Sequence, residues 1–331
     1  MTPITSPANE TENGSGRSAT AGPLHFLLRA GELSHALVRA CRPRQWLKNL
    51  LVFAAPATAG AFGDPHTLLL CAAAFALFCV AASGTYLLND VRDVHRDREH
   101  PRKRRRPVAS GDLPIPFAAV TGVLFVLAAP LASLALGNWR LTLLFTGYVL
   151  LTLAYTHYLK DVVICDLVAV ASCHMLRAMA GGYAAGVELT SWFVIVVALA
   201  ALLVVVGKRE AELRTARPEG PAGPETPAEH SACRTRAALH GYTVGYLSQM
   251  RVMASGAMVV TYCLWALEQG GGPQSVFHAA SIVPFIMFVL RYNLLVDRGA
   301  GEEPEEIALR DRPLQLVLLA LVLLVGLGIY L

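Results

Sequence analysis

Long apolar stretches alternate with short polar segments along most of the chain, from about residue 46 to the C-terminus. A helix needs roughly 20 mainly apolar residues to cross the hydrocarbon layer of a bilayer. Windows of this kind cover residues 46–63, 67–88, 115–136, 140–158, 162–185, 190–206, 252–268, 276–294 and 313–331. Prolines flank or interrupt the first window. The pattern predicts an all-α integral membrane protein, a bundle of nine transmembrane helices around a central cavity.

The composition agrees with a membrane location. Of the 331 residues, 54% are hydrophobic and only 16% are charged. This balance lies outside the range of most soluble globular domains, which carry about 25% charged residues. A soluble fold is therefore not expected.

The basic residues are distributed on one side of the predicted spans. If the N-terminus is cytoplasmic, the outer segments carry Arg140 and almost no other Lys or Arg. The inner segments then hold Arg42, Arg44, Lys48, the run 92–106, Lys160, the run 208–251 and the run 291–312. Cytoplasmic loops are enriched in Lys and Arg, so we expect a multi-pass protein of the plasma (inner) membrane. The net charge of +4 is a topology signal and predicts no nucleic-acid partner.

Composition also divides the chain along its length. Residues 1–22 are rich in Ser, Thr, Gly, Pro and Asn, which is typical of a disordered N-terminal tail. Residues 40–331 form one predicted transmembrane domain. Two polar segments, 89–114 and 207–250, are predicted to cap it on the cytoplasmic side and are called the first and second cap loops below. The sequence leaves the formation of a homo-oligomer open.

The first cap loop begins with the most densely charged stretch of the chain, NDVRDVHRDREHPRKRRRP at 89–107. If the second helix continues past the membrane surface, Asp90, Asp93 and Asp97 fall at i, i+3 and i+7 on one face. The carboxylates of such a stripe repel each other, so a bound cation is expected between them. Mg²⁺ binds through carboxylates together with substrate phosphates. The following Lys and Arg residues suit phosphate oxygens. A Mg²⁺–diphosphate site is the favoured interpretation. A solvated topology loop would explain the arginines but not the spaced aspartates.

Several motifs resemble a known family. The pattern N89-D90-x-x-D93-x-x-x-D97 resembles the first aspartate motif of the UbiA superfamily of intramembrane prenyltransferases. Four longer segments resemble, in matching order, the decaprenyl-phosphate phosphoribosyltransferase branch of that superfamily. They are RPRQWLKN (42–49), DREHPRKRRRP (97–107), GKREAEL (207–213) and PEEIALRDR (304–312). The resemblance extends from about residue 40 to the C-terminus and implies a UbiA-like bundle.

The resemblance also implies a reaction. A member of this branch would transfer 5-phosphoribose from phosphoribosyl pyrophosphate to a polyprenyl (decaprenyl) phosphate at the cytoplasmic membrane face and release diphosphate. The reaction would depend on Mg²⁺ and would supply an arabinan precursor for cell-wall biogenesis. Prenyltransferases of the superfamily carry a second aspartate motif after the sixth helix, where this chain has Lys208, Arg209, Glu210, Glu212 and Arg214. More cations fit a donor that has a phosphate besides its diphosphate. The family usually has an aromatic residue at the position of Glu210.

The site residues follow from these two lines of reasoning. Asp90, Asp93 and Asp97 are the expected Mg²⁺ ligands and catalytic residues. By resemblance to a Y-x-x-x-x-K element, Lys160 would hold phosphate and Tyr155 would face the cavity. Arg177 either pairs with an aspartate, such as Asp166 three turns away, or reaches a phosphate from below. The further predicted substrate-binding residues are Lys48, Asn49, Asn89, Lys103, Arg104, Arg106, Lys208 and Arg209.

Two other functions remain open on the sequence alone. One is a prenyltransferase or intramembrane terpene cyclase of the same superfamily, which would use a prenyl diphosphate. The other is a transporter or lipid-binding membrane protein whose polar residues line a pathway. A transporter of this kind should have paired broken helices in its two halves, and the sequence gives only weak signs of them.

Overall fold

The computed structural model describes residues 23–101, 103–216, 237–269, 272, 274–299, 301 and 304–331. Within these ranges the regular structure is helical and no strand occurs. The α-helices are α1 (Pro23–Cys41), α2 (Ala54–Thr58), α3 (Pro65–Arg92), α4 (Val94–Glu99), α5 (Pro107–Ser110), α6 (Ile115–Ser133), α7 (Trp139–His157), α8 (Cys165–Ala185), α9 (Ser191–Ala216), α10 (Val244–Glu268), α11 (Gln274–Asp297), α12 (Pro304–Arg310) and α13 (Arg312–Tyr330). Short 3₁₀ helices cover Pro43–Phe53, Ala61–Gly63, Lys103–Arg105, Leu134–Leu136, Leu159–Asp161 and Ala237–Gly241.

Six of the described helices are long and apolar enough to cross a bilayer: α3, α6 with the 3₁₀ turn after it, α9, α10, α11 and α13. They coincide with six of the predicted windows and confirm an all-α, multi-pass membrane protein. Helices α7 and α8 coincide with the fourth and fifth windows, but their sequences are not apolar enough for them to be counted among the membrane-spanning helices. The predicted number of nine spans is therefore not confirmed.

The first predicted window, 46–63, does not form one continuous helix. A 3₁₀ helix from Pro43 to Phe53 runs into the five-residue helix α2. Gly60 then has a φ of +69° and turns the chain. Proline at the start of the 3₁₀ helix and again inside α2 removes backbone N–H donors from this region. Its polar residue Asn49 is nevertheless fully buried.

Glycines allow the closest helix contacts. A Cβ atom on Gly84 of α3 would lie 2.8 Å from the carbonyl oxygen of Gly122 on α6. A Cβ on Gly181 of α8 would lie only 1.6 Å from the carbonyl oxygen of Val52. Small residues permit such backbone approach in membrane helices, so the 3₁₀ segment lies directly against α8.

Two aromatic contacts mark the two halves of the bundle, α1–α8 (the first half) and α9–α13 (the second half). In the first half, Phe78 of α3 contacts Phe145 of α7 with ring centroids 4.4 Å apart. In the second half, Tyr262 of α10 stacks on Phe285 of α11 at 3.7 Å. Helices α8 and α9 pack against each other and join the halves. A cavity of about 310 Å³ lies by the first residues of α3 and α7 and the last of α8, and none of the predicted site residues lines it.

The first cap loop is largely helical. Helix α3 ends at Arg92, Asp93 occupies a turn with φ −92° and ψ 10°, and α4 starts at Val94. The prediction of one continuous helix through the aspartates is therefore wrong, because the chain breaks at Asp93. Helix α1, which the sequence did not predict, contributes Ala36 and Ala40 to a cluster with residues of this loop. The predicted tail 1–22 and residues 217–236 of the second cap loop lie outside the described residues.

Candidate active site

Asp90 and Asp97 are buried at the end of α3 and in α4, with 1% and 2% of their surfaces exposed. Both carboxylates accept from one guanidinium. Nη1 of Arg106 lies 3.1 Å from Oδ1 of Asp90 and 2.6 Å from Oδ2 of Asp97. Buried carboxylates require charge partners and hydrogen bonds, and Arg106 supplies both from the residue that precedes α5. The first cap loop thus folds its basic part back onto its acidic part.

Arg42 is a second cation on Asp90 that the sequence analysis missed. Its Nη2 lies 2.5 Å from Oδ1 of Asp90, and its guanidinium lies 4.8 Å from the ring centroid of Tyr86. Its φ of +55° places it in the left-handed region directly before Pro43. This conformation is uncommon for a residue with a side chain. An arginine at such a junction, at the head of an apolar window, is the signal that sequence reasoning could have used.

Asp93 points to a different cation. Oδ2 of Asp93 lies 3.8 Å from Nζ of Lys160, in the 3₁₀ turn after α7. The break between α3 and α4 thus separates Asp93 from the Arg106 contact that Asp90 and Asp97 share. Among the residues that the structure describes, no three His, Cys, Asp or Glu side chains are grouped closely enough to hold a metal ion by themselves.

Asp90 nevertheless offers an oxygen to a cation. Oδ2 of Asp90 is buried and has no hydrogen-bond partner among the described residues, whereas Oδ1 accepts from two arginines. A buried, unpaired carboxylate oxygen is costly. Mg²⁺ binds oxygen ligands and commonly takes one or two carboxylates together with substrate phosphates. The residues present fit a hard cation that arrives with a phosphorylated substrate better than a preformed, all-protein metal site.

The remaining predicted residues of the first half differ in exposure. Lys103 and Arg104 are exposed in a single 3₁₀ turn, and Asn89 is half-buried beside Asp90. Lys48 donates to Oε1 of Gln45 at 2.6 Å. Of this group, Asn89 is adjacent in sequence to the buried Asp90.

Asn49 and Arg177 form a buried polar contact inside the first half. Nε of Arg177 donates to Oδ1 of Asn49 at 2.7 Å, and its Nη2 donates to the hydroxyl of Tyr148 at 2.8 Å. The third arm donates to the carbonyl oxygen of Cys173. Arg177 therefore has an asparagine and a tyrosine as partners instead of the aspartate considered from the sequence. Asp166 pairs with another arginine.

That arginine is Arg209, on α9. Its Nε donates to Oδ2 of Asp166 at 2.8 Å, its Nη1 to Oε2 of Glu212 at 2.7 Å, and its Nη2 to the hydroxyl of Tyr155 at 3.1 Å. Arg209 is 3% exposed and Asp166 is fully buried. Lys208, the preceding residue, is half-buried. The structure thus brings together two predicted residues, Tyr155 and Arg209.

Two charged clusters lie at the same end of the bundle, where α7 ends: Asp90 and Asp97 with Arg106, and Asp166 with Arg209. Tyr155 contacts Arg209, and Lys160, five residues later, lies beside Asp93. Arg92, the last residue of α3, donates to the backbone carbonyl of Thr156. One end of the bundle therefore carries the buried carboxylates of the first cap loop and the arginine of the second.

Glu210 belongs to a separate ion network. It is fully buried and accepts from Nε of Arg251 at 2.7 Å and from Nη2 of Arg214 at 2.6 Å. Arg251 also donates to Asp297 at 2.6 Å and to Oδ1 of Asn293 at 2.6 Å. This network ties α9, α10 and α11 together. The arginine near the start of the otherwise apolar helix α10 was its signal in the sequence.

Tyr242 completes the environment of Asp166 and was also missed. Its hydroxyl donates to Oδ1 of Asp166 at 2.6 Å and accepts from the backbone N–H of Ile164 at 2.5 Å. Burial, followed by the hydrogen bond to the Asp166 carboxylate, raises the pKa of Tyr242. The phenol therefore stays protonated at neutral pH and keeps acting as a donor. An isolated tyrosine after a polar loop carries no pattern that would have identified it.

The model of the UbiA prenyltransferase family matches residues 50–214. The chain is 40% identical over 303 residues to the decaprenyl-phosphate phosphoribosyltransferase of Corynebacterium glutamicum, covering 90% of this chain and 88% of that protein. It is 38% identical over 327 residues to the protein of that name from Mycolicibacterium smegmatis, covering 94% and 96%. For the protein of that name from Mycobacterium tuberculosis the identity is 41% over 298 residues, covering 88% and 93%.

Solved structures agree at the level of the fold. A UbiA homologue from Archaeoglobus fulgidus bound to GPP and Mg²⁺ superposes with a TM-score of 0.65 at 15% identity, covering 89% of this chain and all of that one. A structure concerned with digeranylgeranylglyceryl phosphate synthase gives a TM-score of 0.60 at 16% identity, covering 92% and 99%. With nearly the whole chain aligned to its relatives at about 40% identity, the protein belongs to the UbiA prenyltransferase family.

Proposed function

We propose that this protein is a polyprenyl-phosphate phosphoribosyltransferase, which transfers 5-phosphoribose from phosphoribosyl pyrophosphate to a polyprenyl phosphate and releases diphosphate. The observation that carries the proposal is the position of two charged clusters at one end of the bundle. One cluster has the buried carboxylates Asp90 and Asp97 with Arg106, and the other has Arg209. Carboxylates for a metal beside cations for phosphate suit a diphosphate substrate.

The second cluster favours a phosphoribosyl donor over a prenyl diphosphate. A second carboxylate motif for another metal-bound diphosphate would be expected near the end of α9 in a prenyltransferase of this superfamily. Here, the acidic residues of that segment are occupied by arginines: Glu210 by Arg251 and Glu212 by Arg209. The relatives from three species, all named decaprenyl-phosphate phosphoribosyltransferase, support the same choice. Decaprenyl phosphate is therefore the first acceptor to test.

Substrate binding exchanges ion pairs in this mechanism. Arg106 and Arg42 hold the Asp90 carboxylate. When the donor enters, Arg106 turns from the carboxylates towards the diphosphate oxygens, for which a guanidinium is suited. Lys160 lies 3.8 Å from Asp93 and completes the cationic side. Asp90, Asp93 and Asp97 would hold Mg²⁺, which, when bound, neutralises the charge that develops on the leaving diphosphate.

The second cluster binds the other end of the donor. Glu212 is partly exposed, with 23% of its side chain accessible, and it occupies one arm of the Arg209 guanidinium. An incoming 5-phosphate can replace this carboxylate, since both are anionic oxygen acceptors for the same N–H groups. Tyr155 stays on the second arm of Arg209 and fixes its direction. The ribose would then lie between the two clusters.

The transfer itself needs little acid–base help from the protein. An oxygen of the polyprenyl phosphate bonds to C1 of the ribose while the bond from C1 to the diphosphate oxygen breaks. The acceptor is already an anion near neutral pH, so no general base is required. A carboxylate near the ring favours the positive charge that C1 gains. Positioning and electrostatic stabilisation therefore supply most of the rate.

The distribution of Lys and Arg supports a site on the cytoplasmic face of the plasma membrane, with the N-terminus on the same side. Phosphoribosyl pyrophosphate is water-soluble, whereas the acceptor is a lipid. A site at the membrane surface, at the end of α3 and α7, meets both phases.

The test uses purified protein in detergent, given phosphoribosyl pyrophosphate or a prenyl diphosphate with decaprenyl phosphate, with and without Mg²⁺. We expect a phosphoribosylated lipid, identified by mass, from the first donor and only with Mg²⁺. A prenylated product from the second donor would replace the proposal with the prenyltransferase alternative. Consumption of neither donor would favour a transporter or lipid-binding protein.

A further inference from the structure

Asp166 is a fully buried carboxylate in the first turn of α8 that the mechanism above does not use. Its two oxygens have different partners. Oδ2 accepts from Nε of Arg209 at 2.8 Å, and Oδ1 accepts from the hydroxyl of Tyr242 at 2.6 Å. The carboxylate therefore connects an arginine of the candidate site to the segment of the second cap loop just before α10.

Tyr242 is held tightly against the turn before α8. Its hydroxyl accepts from the backbone N–H of Ile164, which has a φ of +69°. A positive φ is unfavourable for a β-branched residue and persists only when the surroundings determine it. The neighbouring Gly241 also packs closely against this turn, since a Cβ at Gly241 would lie 2.4 Å from Cγ2 of Val163. The Tyr242 hydroxyl thus joins the backbone of this turn to the carboxylate of Asp166.

Asp166 determines how the Arg209 guanidinium is oriented. The N–H groups of a guanidinium lie in one plane, so a bond to Nε fixes the direction of both terminal nitrogens. Of the other two partners, Tyr155 contributes a neutral hydroxyl and Glu212 is a partly exposed carboxylate. Asp166 is the partner of Arg209 that is fully buried and itself held by a further hydrogen bond.

We propose that Asp166 and Tyr242 are positioning residues that orient Arg209 for the 5-phosphate of the donor, with Tyr242 acting through Asp166. The inference rests on the proposed function, because it assigns a phosphate to Arg209. Neither Asp166 nor Tyr242 touches the donor. Their effect is therefore confined to donor binding and does not extend to the lipid acceptor.

The most conservative test removes only the Tyr242 hydroxyl. Loss of one hydrogen bond to a charged group changes an equilibrium by roughly ten- to a hundredfold. We expect Tyr242→Phe to raise the KM for phosphoribosyl pyrophosphate by about that factor, with kcat and the KM for decaprenyl phosphate little changed. Tyr246→Phe is the matched control, since Tyr246 stacks on Tyr242 with centroids 6.1 Å apart and is exposed. It should keep wild-type constants.

A double-mutant cycle separates positioning from a general structural role. In an Arg209→Lys background, Tyr242→Phe should have no further effect on the donor KM, because the oriented guanidinium is already gone. Equal effects of Tyr242→Phe in both backgrounds, or an unchanged donor KM in the wild-type background, would overturn the inference. Asp166→Asn should raise the donor KM at least as much. If Asp166→Asn does not fold, the double-mutant cycle of Tyr242→Phe and Arg209→Lys still tests the inference. Turnover of phosphoribosyl pyrophosphate by the wild type tests the proposed function separately.

Discussion

Nη1 of Arg106 lies 3.1 Å from Oδ1 of Asp90, the same oxygen that accepts from Arg42 at 2.5 Å. The second oxygen, Oδ2, is buried without a hydrogen-bond partner among the described residues. Asp90 is thus held by two cations through one oxygen, while its other oxygen is buried without a partner. Arginines balance the charge of the carboxylates in this arrangement, and the unpartnered oxygen is the one that a metal would take.

Arg106→Gln tests whether this arginine belongs to the site. The change removes the cation shared by Asp90 and Asp97 and a phosphate contact in the mechanism. Charged hydrogen bonds contribute about 1.5–3 kcal/mol each, so we expect kcat/KM for phosphoribosyl pyrophosphate to fall roughly a hundredfold. Steady-state kinetics in detergent measure this.

The matched control is Arg105→Gln, one residue earlier, whose side chain is exposed. It should leave kcat/KM within a factor of two or three of the wild type, since surface charges contribute little. If both variants lost activity equally, the effect would come from the net charge of the loop and not from the contacts of Arg106.

Gly181→Ala tests the contact between the 3₁₀ helix and α8. The added methyl group would lie 1.6 Å from the carbonyl oxygen of Val52, so the backbone must move. We expect a loss of about 1–3 kcal/mol in the free energy of unfolding, seen as a lower midpoint of thermal unfolding in detergent. Gly147→Ala is the control, because a Cβ at Gly147 meets no atom within 4 Å. Equal midpoints for both variants would contradict the close packing.

The pH dependence of stability tests the pair Arg291–Asp311. Nη2 of Arg291 lies 2.8 Å from Oδ2 of Asp311, and the pair, together with the backbone N–H of Leu314, lowers the pKa of Asp311. A carboxyl with a lowered pKa stabilises the fold above its unfolded pKa of about 3.9, and this contribution is lost as the pH falls through the folded pKa. Asp311→Asn should therefore lower the unfolding midpoint at pH 7, and the difference should shrink below about pH 4.

Glu306→Gln is the control for this experiment. Glu306 pairs with Arg310 at 3.0 Å on α12, but both side chains are exposed. Exposed pairs contribute between zero and about 1 kcal/mol, so little change is expected at any pH. A deficit of Asp311→Asn that stayed constant down to pH 3 would show that the ion pair is not its source.

Tyr148→Phe tests the role of Arg177. The Tyr148 hydroxyl accepts from Nη2 of Arg177 inside the first half of the bundle. Its removal leaves a buried charged N–H without an acceptor, which costs about 1–3 kcal/mol. We expect a lower unfolding midpoint with an unchanged donor KM. The control is Tyr183→Phe on α8, near Arg140. A raised donor KM in Tyr148→Phe without loss of stability would mean that Arg177 binds substrate.

Most of the bundle could be predicted from the sequence, because long apolar windows leave few alternatives in a bilayer. Helices α3, α9 and α11 lie where the windows place them. The prediction of one spanning helix at 46–63 was wrong. The window has the composition of a span, but Pro43 before it and Pro56 inside it accompany a 3₁₀ helix and a short α-helix. Hydrophobicity reports burial, and it does not report whether a buried segment is one straight helix.

The candidate site was only partly predictable. Spaced carboxylates next to a membrane helix are costly, so Asp90 and Asp97 are visible as functional candidates. Their partners are not visible, because Arg42 lies 48 residues before Asp90 and reaches it through tertiary structure. The same holds for Tyr242, 76 residues from Asp166. The break at Asp93 was missed because helical spacing was assumed to continue through a charged segment.

The most direct measurement follows label from ribose-labelled phosphoribosyl pyrophosphate into the lipid fraction with decaprenyl phosphate, comparing the wild type with Asp90→Asn at saturating Mg²⁺. Thermal unfolding of both proteins confirms that each is folded. We predict Mg²⁺-dependent labelling of lipid by the wild type and at least a hundredfold less by Asp90→Asn, since the variant loses a carboxylate at the metal and diphosphate site. Equal labelling by the two folded proteins would contradict a catalytic site at Asp90.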